Sequence, residues 1–374
     1  MNQLNWGGQR YVMFGLVCLW ATIQYIAYKK FGILYSVDSE LYLLDAQSIL
    51  RGEFPSGRSI MYVSYSMLLA VVQGVELNIV WIVTLQLAAS LLAMVAIFRL
   101  ASSLFKSDHA GSCAALLYVL WVKVHQWNFI IYTDSLFTSF SIISFVLFYF
   151  STSKKNYFLA SIVFLFAVFI RPNGIGLFIA MIGFLITKLP KGLNEVSRKS
   201  VLFGTSIALL LLINQLLEPH VGSFINSYAQ AEIIYPNRRL FFLPPETLYT
   251  PDQRLPALMQ LIQFAFYNPI YFAKLFSLKS ILFLANIKPY FSWIHNMVIV
   301  LYLYPIYYFS FLGIRQIKDK GIIVFVSFFI GLQTLVVGLT SENWDGRFVL
   351  PVLPLVFVLA SGPISQKLKM FFHE

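Results

Sequence analysis

Charge is what this chain most lacks. Only 11% of its 374 residues are Asp, Glu, Lys or Arg, against about 25% in soluble globular chains, so a water-facing surface of the ordinary kind is excluded. Cysteine is scarce too. Cys18 and Cys113 both fall inside apolar segments, and no disulfide framework follows from them. The five histidines form no cluster with cysteine that suggests zinc. No RNA- or DNA-binding motif accompanies the net charge of +11, so no nucleic-acid partner is expected. Basic residues in membrane proteins collect in cytoplasmic loops for topological reasons. The first apolar run lacks a small-residue cleavage pattern and reads as a retained span rather than a cleaved signal. No internal repeat marks the inverted halves of a transporter.

What is present is apolar. Hydrophobic residues make up 59% of the chain, with 36 Phe and 21 Tyr. At roughly 20 apolar residues per crossing, candidate spans lie near 11–29, 78–98, 109–126, 131–151, 157–171, 173–187, 200–217, 295–314, 321–339 and 347–363. The expected fold is all-α and polytopic, a single transmembrane domain over 1–374 with about ten transmembrane helices. The pair 157–171 and 173–187 is split by the helix-breaking Arg171-Pro172-Asn173-Gly174. The stretch 59–76 is apolar but carries Tyr, Ser and Gln, and could either cross or dip into the interface. With both termini cytoplasmic, every inner loop is basic: Arg99 and Lys106; Lys154 and Lys155; Lys188, Lys191, Arg198 and Lys199; Arg315, Lys318 and Lys320; Lys367 and Lys369. An extra crossing would break that pattern, which argues that 59–76 does not span. The chain is then a multi-pass plasma (inner) membrane protein. Its two long extracytoplasmic segments are 30–77, with interfacial amphipathic helices, and 218–294.

Polar residues gather on the side read as outer. A helix over 39–50 with Asp38 near its cap would place Asp38, Tyr42 and Asp45 on one face and Leu43, Ala46 and Leu50 on another. That makes an interfacial amphipathic helix ending at Arg51-Gly52, just before Pro55. Its plainer reading is a cap and a solvated face. In Tyr132-Thr133-Asp134-Ser135-Leu136-Phe137, Asp134 opens a span, where a carboxylate is costly unless it faces protein or water; alternatively it caps the helix and meets the positive end of its dipole. Arg171 sits beside a helix break, where a guanidinium can hold phosphate or simply snorkel. In Glu342-Asn343-Trp344-Asp345-Gly346-Arg347, Arg347 opens the last span, loosened by Pro351 and Pro354, or belongs to a charged rim. Acids and arginines from four distant segments share one membrane face, the layout of an outward-facing site.

Asp38, Glu40 and Tyr42 followed by Ala46 and Gly52-Glu53-Phe54-Pro55, the Tyr-Thr-Asp-Ser-Leu-Phe run, the Arg-Pro-Asn-Gly turn and the final Arg-Phe-x-Leu-Pro-x-x-Pro resemble the GT-C superfamily of polytopic glycosyltransferases. These use polyprenyl-phosphate sugars and include protein O-mannosyltransferase and aminoarabinose-transferase relatives; the Asp134 and Arg171 motifs also resemble dolichol-dependent mannosyltransferases. The resemblance implies that Asp38 is the catalytic base, with Glu40 an acid close by. Ser39 intervenes, leaving open which of the two acts. It implies that Asp134 is a second acid binding acceptor or metal, and that Arg171 and Arg347 lie near the lipid phosphate. Lys288 and His295 could touch the donor headgroup, and Tyr42, Asp45, Arg58, Tyr62 and His295 are candidate acceptor contacts. The implied reaction is inverting transfer of one sugar from a polyprenyl-monophosphate carrier, within the bilayer, to a glycan, lipid or protein acceptor of the cell envelope. No cofactor is required, although Asp38 and Asp134 could carry a divalent cation. Many relatives add a soluble C-terminal domain; here acceptor recognition is expected from 218–294 or a partner. The alternatives are an O-antigen polymerase or ligase using Arg238, Arg239 and His220 on diphosphate-linked donors, or a transporter. The latter would want charges deep in its spans, where few lie, Lys123 being one near an end.

Overall fold

The computed structural model describes residues 6–189 and 220–373, apart from 237 and 242, with 204, 211, 214, 215, 217 and 218 between them. The expected span at 200–217, apart from those scattered positions, and Lys191, Arg198 and Lys199 lie outside the described residues. Fifteen α-helices occur among the described residues. They are α1 (Trp6–Phe31), α2 (Val37–Leu50), α3 (Val63–Gly74), α4 (Val80–Phe105), α5 (Asp108–Leu120), α6 (Val122–Gln126), α7 (Thr133–Phe150), α8 (Lys154–Val168), α9 (Gly174–Thr187), α10 (Val221–Ala229), α11 (Ala257–Tyr267), α12 (Pro269–Ala285), α13 (Trp293–Gln316), α14 (Lys320–Leu339) and α15 (Leu353–His373). Two short strands, β1 (Ile234–Tyr235) and β2 (Glu342–Asn343), pair in parallel with Ile234 opposite Glu342. The protein is an all-α polytopic membrane protein.

Five helices, α1 from Arg10, α4, α7, α13 and α14, are long and apolar enough to cross a bilayer. The other expected spans come out differently, for local reasons. The one over 109–126 breaks at Trp121, whose ψ of 80° leaves the helical region, and becomes α5 and α6. Helices α8 and α9 have 15 and 14 residues, each shorter than the roughly 20 a crossing needs, because Arg171-Pro172-Asn173-Gly174 separates them. The final helix starts not at Arg347 but at Leu353, behind a 3₁₀ turn over Arg347–Val349. Pro351 disfavours helical geometry in the residue before it, while Pro354 sits in the first helical turn, where no N–H is needed. Helix α3 has 12 residues, a rise of about 18 Å, too short to cross; this agrees with reading 59–76 as a non-spanning element.

The helices form two compact units. The first comprises Met1–Phe178, Leu303–Asp319 and Leu350–Glu374. Within it α4 packs on α5 and α7, α7 on α8, α15 on α4 and α5, α1 on α5 and α6, and α2 on α3. In lipid there is little hydrophobic drive between helices, so close packing of small residues must hold them. Gly111 does this for α4 and α5: a Cβ there would lie 2.0 Å from Ser102 Oγ and 2.8 Å from the Phe98 carbonyl oxygen.

The second unit comprises Ile179–Tyr302 and Lys320–Val349. Its core gathers Tyr228, Ile233, Ile234, Phe264, Leu275 and Leu282. The Tyr228 hydroxyl donates to the Gly338 carbonyl at 2.5 Å, and the buried Lys279 ammonium donates to the Thr340 carbonyl and to Ser227 Oγ. Burial lowers the Lys279 pKa to about 7. The segment read as the long outer loop 218–294 is therefore folded over its described residues.

Replacing Gly111 by Val should force α4 and α5 apart and cost about 1–3 kcal/mol, seen as a lower midpoint of thermal unfolding in detergent micelles.

A candidate active site around a buried ion pair

Asp134 lies in the first turn of α7 and is fully buried. The N-cap residue, Tyr132, is extended (φ −156°, ψ 161°), and a carboxylate in the first turn favours the positive end of the helix dipole. Arg171, also buried, stands in the turn between α8 and α9, and its Nη1 donates to Asp134 Oδ1. Local sequence sets this turn. Gly174 passes so close to α8 that a Cβ would lie 2.0 Å from the Val168 carbonyl oxygen, and its N–H closes the turn onto the Arg171 carbonyl at 2.9 Å. Aromatic contacts between α7 and α8, Phe140 with Phe166 and Phe148 with Phe164, carry Arg171 to the level of Asp134. The guanidinium also lies 5.7 Å from the centre of the Phe137 ring.

Helix α2 comes to the same place through its serine. Ser39, fully buried, donates to the Ile131 carbonyl at 2.6 Å and accepts the Ser36 N–H at 2.8 Å. Beside it, Leu34 and the 129–131 segment exchange backbone hydrogen bonds at 2.9 Å. The buried stripe of α2 is thus Ser39, Tyr42 and Ala46. This corrects the expected faces: Leu50 is half exposed, and Tyr42, expected on the polar face, is only 3% exposed. The expected pattern supposed that the apolar side would bury, but here a main-chain carbonyl offers a partner to a hydroxyl and turns the helix. Ser39 turned inward separates the two acids. Asp38 is half-buried and Glu40 exposed.

The Tyr42 ring is enclosed by Tyr62, Tyr65 and Tyr132, at 5.2, 5.3 and 5.5 Å between centroids. Burial drives its hydroxyl pKa far above the usual value, with Tyr62 and Asp38 adding and Arg171 opposing. That hydroxyl therefore stands in the field of both Asp38 and Arg171. The Tyr65 hydroxyl is likewise raised by burial, then by Tyr42 and Asp134. The exposed Arg58 is raised by Tyr62, with smaller contributions from Asp38 and Tyr42. Asp38, Tyr42, Arg58, Tyr62, Asp134 and Arg171 thus form one neighbourhood in the first unit. Asp45 lies on the same helix. It accepts a hydrogen bond from Ser59 Oγ at 2.9 Å and ties the turn that carries Arg58 to α2.

Three expected site residues belong to the second unit. Lys288, expected near the donor headgroup, is buried with its Nζ 3.5 Å from Glu342 Oε1. Burial pushes the Glu342 pKa up, against the pull of Lys288. The Arg347 N–H donates to Asp345 Oδ1 at 3.0 Å. The His295 ring stacks on Phe291 at 4.2 Å. Sequence reasoning missed Tyr65 and the buried amides Gln24, Gln86 and Asn128; the only signal was a polar residue in an otherwise apolar run. Among the described residues no group of His, Cys, Asp and Glu has the arrangement of a metal site.

Residues 63–217 match the family model of dolichyl-phosphate-mannose-protein mannosyltransferases. That family lies within the GT-C superfamily, so the resemblance read from the motifs is borne out over this segment. The match contains Asp134 and Arg171 and stops short of Asp38, Arg58 and Arg347. It supports a glycosyltransferase using polyprenyl-phosphate sugars at the level of the family. No curated protein matches the chain.

Asp134→Ala should destabilise the first unit by about 3–5 kcal/mol, because it leaves a buried guanidinium without its carboxylate. The double replacement Asp134→Leu with Arg171→Met should recover most of that loss, measured by thermal unfolding in micelles.

Proposed function

We propose that this protein is an inverting glycosyltransferase that moves one sugar from a polyprenyl monophosphate to an acceptor hydroxyl on the extracytoplasmic side of the membrane. The observation that carries this reading is the buried Asp134–Arg171 pair, inside the family-matched segment, with the Tyr42 hydroxyl bridging its field to Asp38. A sugar on a lipid phosphate already carries its leaving group. The protein must take a proton from the acceptor and stabilise the departing phosphate.

Asp38, at the accessible edge of the neighbourhood, is the general base. It takes the acceptor hydroxyl proton as that oxygen attacks the anomeric carbon from the side opposite the phosphate. The bond from that carbon to the phosphate oxygen breaks with its electron pair, and the anomeric configuration inverts. The Arg171 charge stabilises the leaving lipid phosphate in a site partly shielded from water. Asp134 holds that guanidinium in place before substrate arrives. Tyr62 and Arg58 face the acceptor at the rim, while Glu40, pointing away, takes no part. No second nucleophilic carboxylate and no cofactor are needed for the atoms to balance. Arg347, Lys288 and His295 stand outside this scheme.

Asp38→Asn should lower kcat about 100-fold or more for transfer from a polyprenyl-monophosphate sugar in proteoliposomes, with thermal stability unchanged. Transfer at the full rate would remove Asp38 as the base. Turnover of a diphosphate-linked oligosaccharide, with none of the monophosphate, would favour a polymerase instead.

A further inference from the structure

Behind the ion pair runs a chain of buried hydrogen bonds that the scheme above does not use. His125 Nε2 contacts the Tyr118 carbonyl at 3.2 Å, and its Nδ1 contacts Gln24 Nε2 at 2.7 Å. Gln24 Oε1 accepts from Asn128 Nδ2 at 3.1 Å, and Asn128 Oδ1 accepts from Ser135 Oγ at 2.6 Å. Gln24, His125, Asn128 and Ser135 are each 5% exposed or less. A second arm meets the first at the main chain: Gln86 Nε2 donates to the Asn128 and Ile130 carbonyls at 2.9 and 3.1 Å, and Gln86 Oε1 accepts from the Tyr65 hydroxyl at 3.3 Å. The contributing residues come from α1, α3, α4, α5, α6, the 127–129 turn and α7, with the Ile130 carbonyl just after that turn.

The chain has one direction. A carbonyl oxygen only accepts, so His125 donates to Tyr118 through Nε2–H, and the neutral ring leaves Nδ1 to accept from Gln24. Each amide then has one orientation, and the Ser135 hydroxyl must donate. The segment locked this way, 127–132, does two things. Its Ile131 carbonyl receives Ser39 and so fixes α2, which carries Asp38 and Tyr42. Its end starts α7, with Asp134 next to Ser135.

We propose that Asn128 is a positioning residue for this site. Its side chain joins α1 to α7 and its carbonyl joins the segment to α4, so one residue sets the distance between the base on α2 and the charge pair on α7. Displacement of a reacting group by about 1 Å can cost on the order of 100-fold in rate. A neutral polar network that touches no substrate should act on kcat and leave donor binding alone. This rests on the glycosyltransferase reading for its kinetic arm only.

The test uses Asn128→Ala, Ser135→Ala and the hydroxyl-retaining Ser135→Thr in the full-length protein. Two quantities are measured: transfer from a polyprenyl-monophosphate sugar, and backbone hydrogen exchange over 34–50 and 127–135. The expected result is a 10- to 100-fold loss of kcat in both Ala variants, donor KM within twofold, faster exchange in both segments, and recovery of both readouts in Ser135→Thr. Wild-type kcat and exchange in the Ala variants would overturn the proposal, as would losses that Ser135→Thr does not repair. If the wild-type protein transfers nothing from such donors, the functional reading falls while hydrogen exchange still decides whether Asn128 fixes the two segments.

Discussion

A carboxylate and a guanidinium facing each other in a nearly dry interior form the constraint on which the first unit is organised. Neither Asp134 nor Arg171 can stay buried alone, since an uncompensated charge there costs several kcal/mol. The pair therefore fixes where α7 begins and where α8 ends, and the turn after α8 has to carry a glycine to bring Arg171 close enough. The aromatic contacts along α7 and α8 keep these two ends level. The surrounding tyrosines fill the remaining space with rings whose hydroxyls give the site polarity without adding charge.

Helix α2 is held beside this pair by one serine. A hydroxyl on a main-chain carbonyl is a modest interaction, about 1 kcal/mol net, but it decides which way the helix faces. Successive residues of a helix point about 100° apart. With Ser39 inward, Asp38 and Glu40 diverge to either side, and only Asp38 shares the neighbourhood of Tyr42 and Arg58.

Much of the fold was legible because lipid makes simple demands on sequence. The spans α1, α4, α7, α13 and α14 are long apolar runs, and the break at Arg171-Pro172-Asn173-Gly174 and the end of α2 at Arg51-Gly52 follow from proline and glycine chemistry. The interruption at Trp121 was hidden, since no breaker residue marks it. The buried face of α2 was misread because a local pattern cannot reveal a partner carbonyl about ninety residues away, at Ile131. Lys288 was hidden for the same reason: its contact with Glu342 joins distant segments. Asp134 and Arg171 were legible as separate motifs, and their pairing follows from the short α7–α8 connection. The amides Gln24, Gln86 and Asn128 carry no local pattern; they acquire meaning only when they converge.

The one-way chain from Ser135 to Tyr118 also behaves as a single object. Its amides and its imidazole could each be turned over separately on paper, but any one reversal would set acceptor against acceptor or donor against donor. To reverse at all, both amides must flip and the imidazole must move its proton in concert, and the Tyr118 carbonyl would lose the His125 N–H and keep only that of Trp121, at 3.3 Å. A main-chain oxygen that cannot change its role therefore sets the tautomer of a histidine, and through it the polarity of every bond up to the residue beside Asp134.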